Sequence, residues 1–202
     1  MKKIVLLVLI VFSIQNLTAQ KVVFGLKGGV NMSKFISPSD PGGEYKIFKY
    51  KFGFQVGGFA EIKLKGDFYL QPEFIFSLQG TKHINSINRT YYNTNEFYFT
   101  LPLMFNYKFL ENYGVELGPQ INYLFAIKQG AEGFKYPDEI LDELLNEINW
   151  GLAAGIKYNV SATFGLGFRY IYGFDRIEDV ETAVLREFKN SVFQLNLEYR
   201  FN

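Results

Sequence analysis

Cysteine is absent from this 202-residue chain, and histidine occurs once, at His83. One histidine without cysteine supplies no usual zinc site, and no metal-ligand spacing is present. The missing thiols also exclude a disulfide framework and a lipoprotein anchor. After the first twenty residues no run of eighteen or more apolar residues occurs, which excludes a helical membrane protein. Charge of one sign is lacking too. A formal balance of +1 gives no whole-protein field to gather nucleic acid or acidic substrates.

What is abundant is aromatic side chain. Phe and Tyr number 22 and 14, and 19 Gly accompany them. This composition favours pleated strands over packed helices. The first residues read as a secretory signal, with basic Lys2 and Lys3, an apolar run from Ile4 to Phe12, then polar Gln15 and Asn16. The expected division is a signal peptide at 1–19, cut after Ala19, and one β-barrel domain at 20–202.

Eight runs then alternate apolar and polar residues with period two. The first, Val22 to Ser33, sets Phe24, Leu26, Val30 and Met32 against Lys27, Gly29 and Asn31. The second, Phe52 to Lys63, sets Phe52, Phe54, Val56, Ala60 and Ile62 against Gln55, Gly57, Phe59 and Glu61. The third opposes Phe68, Leu70, Phe74, Phe76 and Leu78 to Gln71, Glu73, Ser77 and Gln79. The fourth places Phe97 through Tyr107 opposite Thr100, Met104 and Asn106, and the fifth places Tyr113 through Phe125 opposite Glu116, Gly118, Gln120 and Asn122. The last three centre on Trp150–Tyr158, Phe164–Tyr172 and Phe193–Phe201, with Lys157, Arg169, Glu198 and Arg200 on their polar faces.

The connections alternate in length. Three are a few residues long, and Gly66 stands where a three-residue hairpin needs a left-handed residue. Four, near 34–51, 80–95, 128–148 and 174–190, are long and polar. Short periplasmic turns and long external loops are the pattern of an up-and-down transmembrane barrel, with both termini on the periplasmic side. Within the third long loop, Pro137 to Ile148 has helical spacing and a helix-start signature. Loop one carries +2 and loop three −4, so the two are expected to lean together.

Which face is wet follows from volume. An eight-stranded barrel has no room inside for a large aromatic on every second residue, whereas a Gly-rich polar set fits. The Phe and Leu face is therefore outside, in lipid. The inward charges are then Lys27, Glu61, Glu73, Glu116, Lys157, Arg169, Glu198 and Arg200, four of each sign. They are expected to pair as a polar plug rather than to catalyse or conduct. Pairing Tyr158 with Ala162 would set Gly155 against Gly165 and Ala153 against Gly167, a nearly bare wall. Pro72, Pro102 and Pro119 fall within three neighbouring strands. Proline cannot donate to a ladder, so they are expected to mark a bulge or bend where the ladder is locally open and the wall curves sharply.

Catalytic constellations are not found. Ser77 and Ser86 lie near His83, but no serine elbow or placed acid accompanies them, and His83 reads as an exposed loop residue. The glycine pairs lack phosphate-loop and dinucleotide spacing. Asn88-Arg89-Thr90 fits a glycosylation pattern of little meaning in a bacterial envelope. Asp138, Glu139, Asp142, Glu143 and Glu147 form a solvated face without a cation-ligand loop. No catalytic, cofactor or metal residues are assigned.

Several segments are familiar once the strands are placed. They are Phe24-Gly25-Leu26-Lys27-Gly28-Gly29-Val30-Asn31, Tyr69-Leu70-Gln71-Pro72-Glu73-Phe74, Leu101-Pro102-Leu103, Gly114-Val115-Glu116-Leu117-Gly118-Pro119, Arg169-Tyr170-Ile171-Tyr172-Gly173 and Phe193-Gln194-Leu195. On these the chain resembles the PorT-type outer-membrane β-barrel family of Bacteroidota. Asn202 after Phe201 departs from the aromatic end usual in barrel-assembly signals. The resemblance implies an outer-membrane location and a structural, docking or secretion-linked role. The rivals are a lipid-modifying enzyme, a small pore and a ligand-binding barrel. Expected partners are outer-membrane lipid and lipopolysaccharide and an unspecified envelope protein. No nucleic acid and a monomeric state are expected.

Overall fold

Alternation at period two commits each run to two faces, and eight adjacent runs bury their unpaired edges only by closing on one another. The computed structural model describes residues 21–36, 48–84, 91–131, 134–135, 148–174 and 189–201. Ten strands are present there: β1 (Val22–Ile36), β2 (Phe48–Lys49), β3 (Lys51–Lys63), β4 (Phe68–Ile84), β5 (Tyr91–Lys108), β6 (Tyr113–Ala131), β7 (Phe134–Lys135), β8 (Ile148–Asn159), β9 (Phe164–Gly173) and β10 (Lys189–Arg200). Eight of them pair antiparallel in a closed ring, β1-β3-β4-β5-β6-β8-β9-β10, with β10 returning to β1. The two-residue β2 and β7 add to β4 and β6. The fold is an eight-stranded antiparallel up-and-down β-barrel.

Stagger sets the width of the lumen. From Ser77 the pairs run through Gln55, Gly29, Asn196, Gly167, Lys157, Gly114 and Lys108, whose N–H reaches the Asp67 carbonyl. The path re-enters the β4 chain ten residues before its start. Such a stagger goes with strands tilted by roughly 35–45°, and with an interior that side chains can fill.

The outward face is apolar all round: Phe24, Phe54, Phe74, Leu101, Leu117, Ile156, Leu166 and Leu195 are exposed. Tyr107, Tyr113, Tyr158 and Tyr199 ring the short-turn end. The expected parity therefore holds on every barrel strand, including inward Phe59 and Met104.

Three expectations about the connections change. β4, β5 and β6 run 17, 18 and 19 residues, well beyond the roughly 9–11 that cross a bilayer. Much of the expected second loop is ladder, since His83 pairs with Tyr92 and with Phe48. His83 is a strand residue, not a loop residue. Polar sequence hid this, because a strand standing in water needs no apolar face. Lys34, Lys51 and Lys128, counted with loops one and three, likewise lie on β1, β3 and β6. The helix expected at 137–148 lies outside the described residues apart from Ile148, which opens β8.

The β8–β9 register also differs. Tyr158 pairs with Leu166, not Ala162. The turn is longer because Ser161 Oγ accepts the N–H groups of Thr163 and Phe164, a local bond that competes with a tighter hairpin. Gly155 consequently faces Arg169, and Gly167 faces Lys157.

The prolines do open the wall. The β4–β5 ladder breaks after Pro72↔Leu103 and resumes at Ile75↔Thr100, and the β5–β6 ladder breaks between Pro102↔Gln120 and Phe105↔Leu117. Register is unchanged across both breaks, so these are open ladders and not bulges. A bulge does occur elsewhere. Phe97 pairs with Ala126 but Tyr98 with Leu124, so Phe125 is an extra residue. It reverses the parity of β6, leaving Leu124 and Ile127 both buried.

Candidate functional site: an ion network filling the lumen

All eight charges expected to point inward are buried, and all eight join one network. Arg169 on β9 is its centre. Its guanidinium meets Glu116 at 2.7 and 2.9 Å and Glu73 at 2.9 and 3.0 Å, a bidentate grip on two carboxylates. Lys27 on β1 bridges Glu73 at 2.9 Å and Glu198 at 3.2 Å. Lys157 on β8 meets Glu198 at 2.8 Å, as does Arg200 at 3.1 Å. Arg200 continues to Glu61 on β3, which Lys108 on β5 approaches at 3.4 Å.

Gln71 on β4 links the parts. Its amide donates to Glu73 and Glu198, and its carbonyl accepts from Lys157 and Asn106. With Asn106 and Lys108 on β5, every one of the eight barrel strands contributes a side chain. The glycines make room for it. A Cβ on Gly155 would stand 2.8 Å from Glu116 Oε1, and one on Gly165 would stand 3.2 Å from the Arg200 guanidinium. The small residues thus serve charged neighbours on adjoining strands rather than leaving an empty wall.

The lumen also holds an apolar cluster. Met104, opposite Gln71 of the network, joins Ala153, Ile171 and Val192 of β8, β9 and β10 in a buried apolar cluster, and Ile75 and Phe59, the latter opposite Glu73, are also buried. A belt of amides and hydroxyls accompanies them: Asn31 donates to Ser77, and Gln55 donates to Asn196. At the far mouth, Lys51 holds the Thr94 carbonyl and Asn95 at 2.8 and 2.6 Å, while Tyr98 hydrogen-bonds Glu96. Sequence reading missed this outer tier. Thr94, Glu96 and Tyr98 do alternate with Asn95 and Phe97, a signal legible once β5 is extended upstream.

The geometry provides pairing but no reactive group. Ser77 accepts from Asn31 and Gln79 and meets no acid–base pair. Among the described residues no three His, Asp or Glu groups are placed to hold a metal. Ser86, the glycosylation-like triplet and the acids of 138–147 lie outside the described residues. No helix among the described residues is long and apolar enough to cross a membrane.

Residues 15–178 match the model of the outer membrane protein beta-barrel domain. The chain belongs to that family. Its location is the outer membrane, and the aromatic face is the lipid face. No curated protein matches the sequence. The fold is similar to Neisserial surface protein A, with TM-score 0.52 and 13% identity over 88% of this chain and 97% of that one. It is also similar to Ail, the attachment invasion locus protein of Yersinia pestis, solved with the heparin analogue sucrose octasulfate. There the TM-score is 0.50 and the identity 16%, over 90% of this chain and 99% of that one.

Proposed function

We propose that this barrel is a sealed, non-enzymatic platform that holds its external ends for docking, in a structural or secretion-linked role. The observation carrying this reading is the lumen, where an ion network drawing on all eight strands leaves neither a channel nor a reactive constellation among the described residues. The strands that outrun the bilayer support it further. β4, β5 and β6, flanked by β2 and β7, raise a sheet beyond the membrane on one side only.

The narrower kinship is PorT-type, of Bacteroidota, supported by the Phe24–Asn31 and Arg169–Gly173 segments quoted above. Residues 1–19 act in this reading as the export signal. Contacts with lipid and lipopolysaccharide, and with an envelope protein partner, belong to the same reading, as does a monomeric barrel. The test is crosslinking and co-purification of the tagged full chain from native outer membranes. A specific envelope protein recovered with the wild type, and lost when 85–90 is replaced by a Gly/Ser linker, is the expected result. Turnover of phospholipid or lipopolysaccharide by the purified protein, abolished by His83→Ala, would instead establish the lipid-modifying enzyme.

A further inference from the structure

Three strands that run toward the short-turn end finish on an inward polar side chain. β5 ends at Lys108, β8 at Asn159 and β10 at Arg200. Each is tied through its backbone N–H to a turn carbonyl: Lys108 to Asp67 at 3.0 Å, Asn159 to Asn112 at 2.7 Å and Arg200 to Thr163 at 2.8 Å. The short turns thus fix where these side chains start. With Glu61, Asn106 and Lys157 they line a cleft of about 230 Å³, counted with the space open to solvent. Its enclosed part fits a group about the size of one water.

Cations are in excess here. The lumen network joins Lys27, Lys108, Lys157, Arg169 and Arg200 to only four carboxylates, Glu61, Glu73, Glu116 and Glu198. The shortfall lies toward the periplasm. Glu198 serves Lys27, Lys157 and Arg200 together, and Glu61 meets Lys108 and Arg200 only at 3.4 and 3.7 Å. The short turns do not correct it, since exposed Asp67 and Glu111 are accompanied by exposed Lys21, Lys63 and Lys65. Residues 1–20 and 202 contain no Asp or Glu.

The cleft also holds buried polar atoms without partners. Arg200 is 6% exposed and its Nη2 meets Glu198, but its Nε–H has no hydrogen-bond acceptor. Asn106 Oδ1 and Asn159 Oδ1 have no donor. A buried guanidinium N–H left unsatisfied costs more than a neutral one. An anion entering the cleft would satisfy that N–H and the charge excess together.

We propose that this periplasmic mouth binds a carboxylate group presented from the periplasm. One carboxylate oxygen accepts from Arg200 Nε. The other faces Lys108, whose side chain is 26% exposed and stands 3.9 Å from the Tyr69 ring centroid. A single negative charge matches the excess of one cation, whereas Glu61 on the cleft wall repels a dianion. The narrow inner part admits the flat end of a molecule and leaves its remainder outside. The free oxygens of Asn106 and Asn159 suit an N–H beside the carboxylate, as a peptide C-terminus carries. A small organic acid offers the same carboxylate alone.

The test follows the Arg200 Nε–H resonance in the full chain, isotopically labelled in arginine and refolded in detergent micelles, with Arg200→Lys giving the assignment. Acetate and N-acetylalanine are titrated against neutral N-acetylalanine amide and against chloride and phosphate. A saturable shift with the carboxylates and none with the amide is expected. Tighter binding of N-acetylalanine assigns the site to a peptide C-terminus, and equal binding assigns it to small organic acids. Lys108→Gln should weaken binding about two- to fivefold, as loss of a partly exposed ion pair does. Glu61→Gln removes the opposing carboxylate and should strengthen it, and Lys128→Gln at the other end of the barrel should change nothing. No shift with either carboxylate overturns the proposal. So does an equal shift with the amide, or with chloride or phosphate, which would mark an adventitious ion only. These outcomes are read on wild type and need no variant to fold. Binding seen only when the chain is extended past Asn202 would assign the cleft to the chain's own terminus, and overturns it too.

Discussion

At the scale of single residues, two side chains test opposite faces of the wall. Arg169 compensates Glu73 and Glu116 where neither carboxylate meets water. Arg169→Met leaves both buried and partly unpaired, at an expected loss of about 3–5 kcal/mol. Adding Glu73→Gln and Glu116→Gln should recover much of it, because the penalty lies in orphaned charge more than in the lost pair. Urea titration of the refolded barrel measures both. On the other face Leu103, four residues along β5 from Tyr107 of the periplasmic girdle, points into lipid. Leu103→Arg should cost roughly 2–4 kcal/mol, while Leu110→Arg, exposed in the turn after β5, should cost about 0–1 kcal/mol. Equal costs at both positions would reverse the assignment of faces.

At the scale of elements, turn chemistry decides register, and Gly66 isolates its effect. Its φ is +60°, and a Cβ there would touch nothing within 4 Å, so substitution reports backbone conformation alone. Gly66→Val should destabilise by about 1–3 kcal/mol and Gly66→Asn by clearly less, since Asn tolerates the left-handed region. A Val variant as stable as Asn in thermal unfolding would show that the turn relaxes. Gly66 was legible because three-residue hairpins have one dominant chemistry. The β8–β9 turn was not, because Ser161 binds two backbone N–H groups and lengthens it by a mechanism that alternation does not record. The faces of all eight strands were legible, since lipid and lumen select opposite side chains. The proline breaks were legible as an opening of the ladder, but whether an extra residue accompanied it was not. Gly118, beside Pro119, lets β6 approach so closely that a Cβ would lie 2.0 Å from the Leu103 carbonyl. The ladder opens there without an extra residue. The bulge at Phe125 left no mark, because Phe125 keeps the outward parity of the run before it. Membership of the lumen network was legible from parity, but partners such as Arg169 with Glu73 were not. They sit on strands far apart in sequence, and only the closed barrel's stagger brings them across the lumen.

At the scale of the whole molecule, conduction would need a continuous wet path, and two different barriers fill the lumen. The first is ionic. Arg169, Lys27, Lys157 and Arg200 are locked to Glu73, Glu116 and Glu198 from wall to wall. The second is apolar. Met104, opposite Gln71, packs with Ala153, Ile171 and Val192 of β8, β9 and β10, and Met104 and Ala153 are wholly buried. An ion slipping between the salt bridges would still pass this apolar surface without its water, which is costly. Wild-type protein in planar bilayers should therefore show no unitary current steps. Lys27→Ser with Glu73→Ser shortens one cation and one anion and keeps the lumen's charge balanced, so it should thin the ionic layer without recruiting a new partner. That variant too should stay silent, because the apolar layer is untouched. Steps in the wild type would refute a sealed lumen. Steps in the double variant alone would show that the ionic layer is the whole seal and that Met104 and Ile171 only fill space.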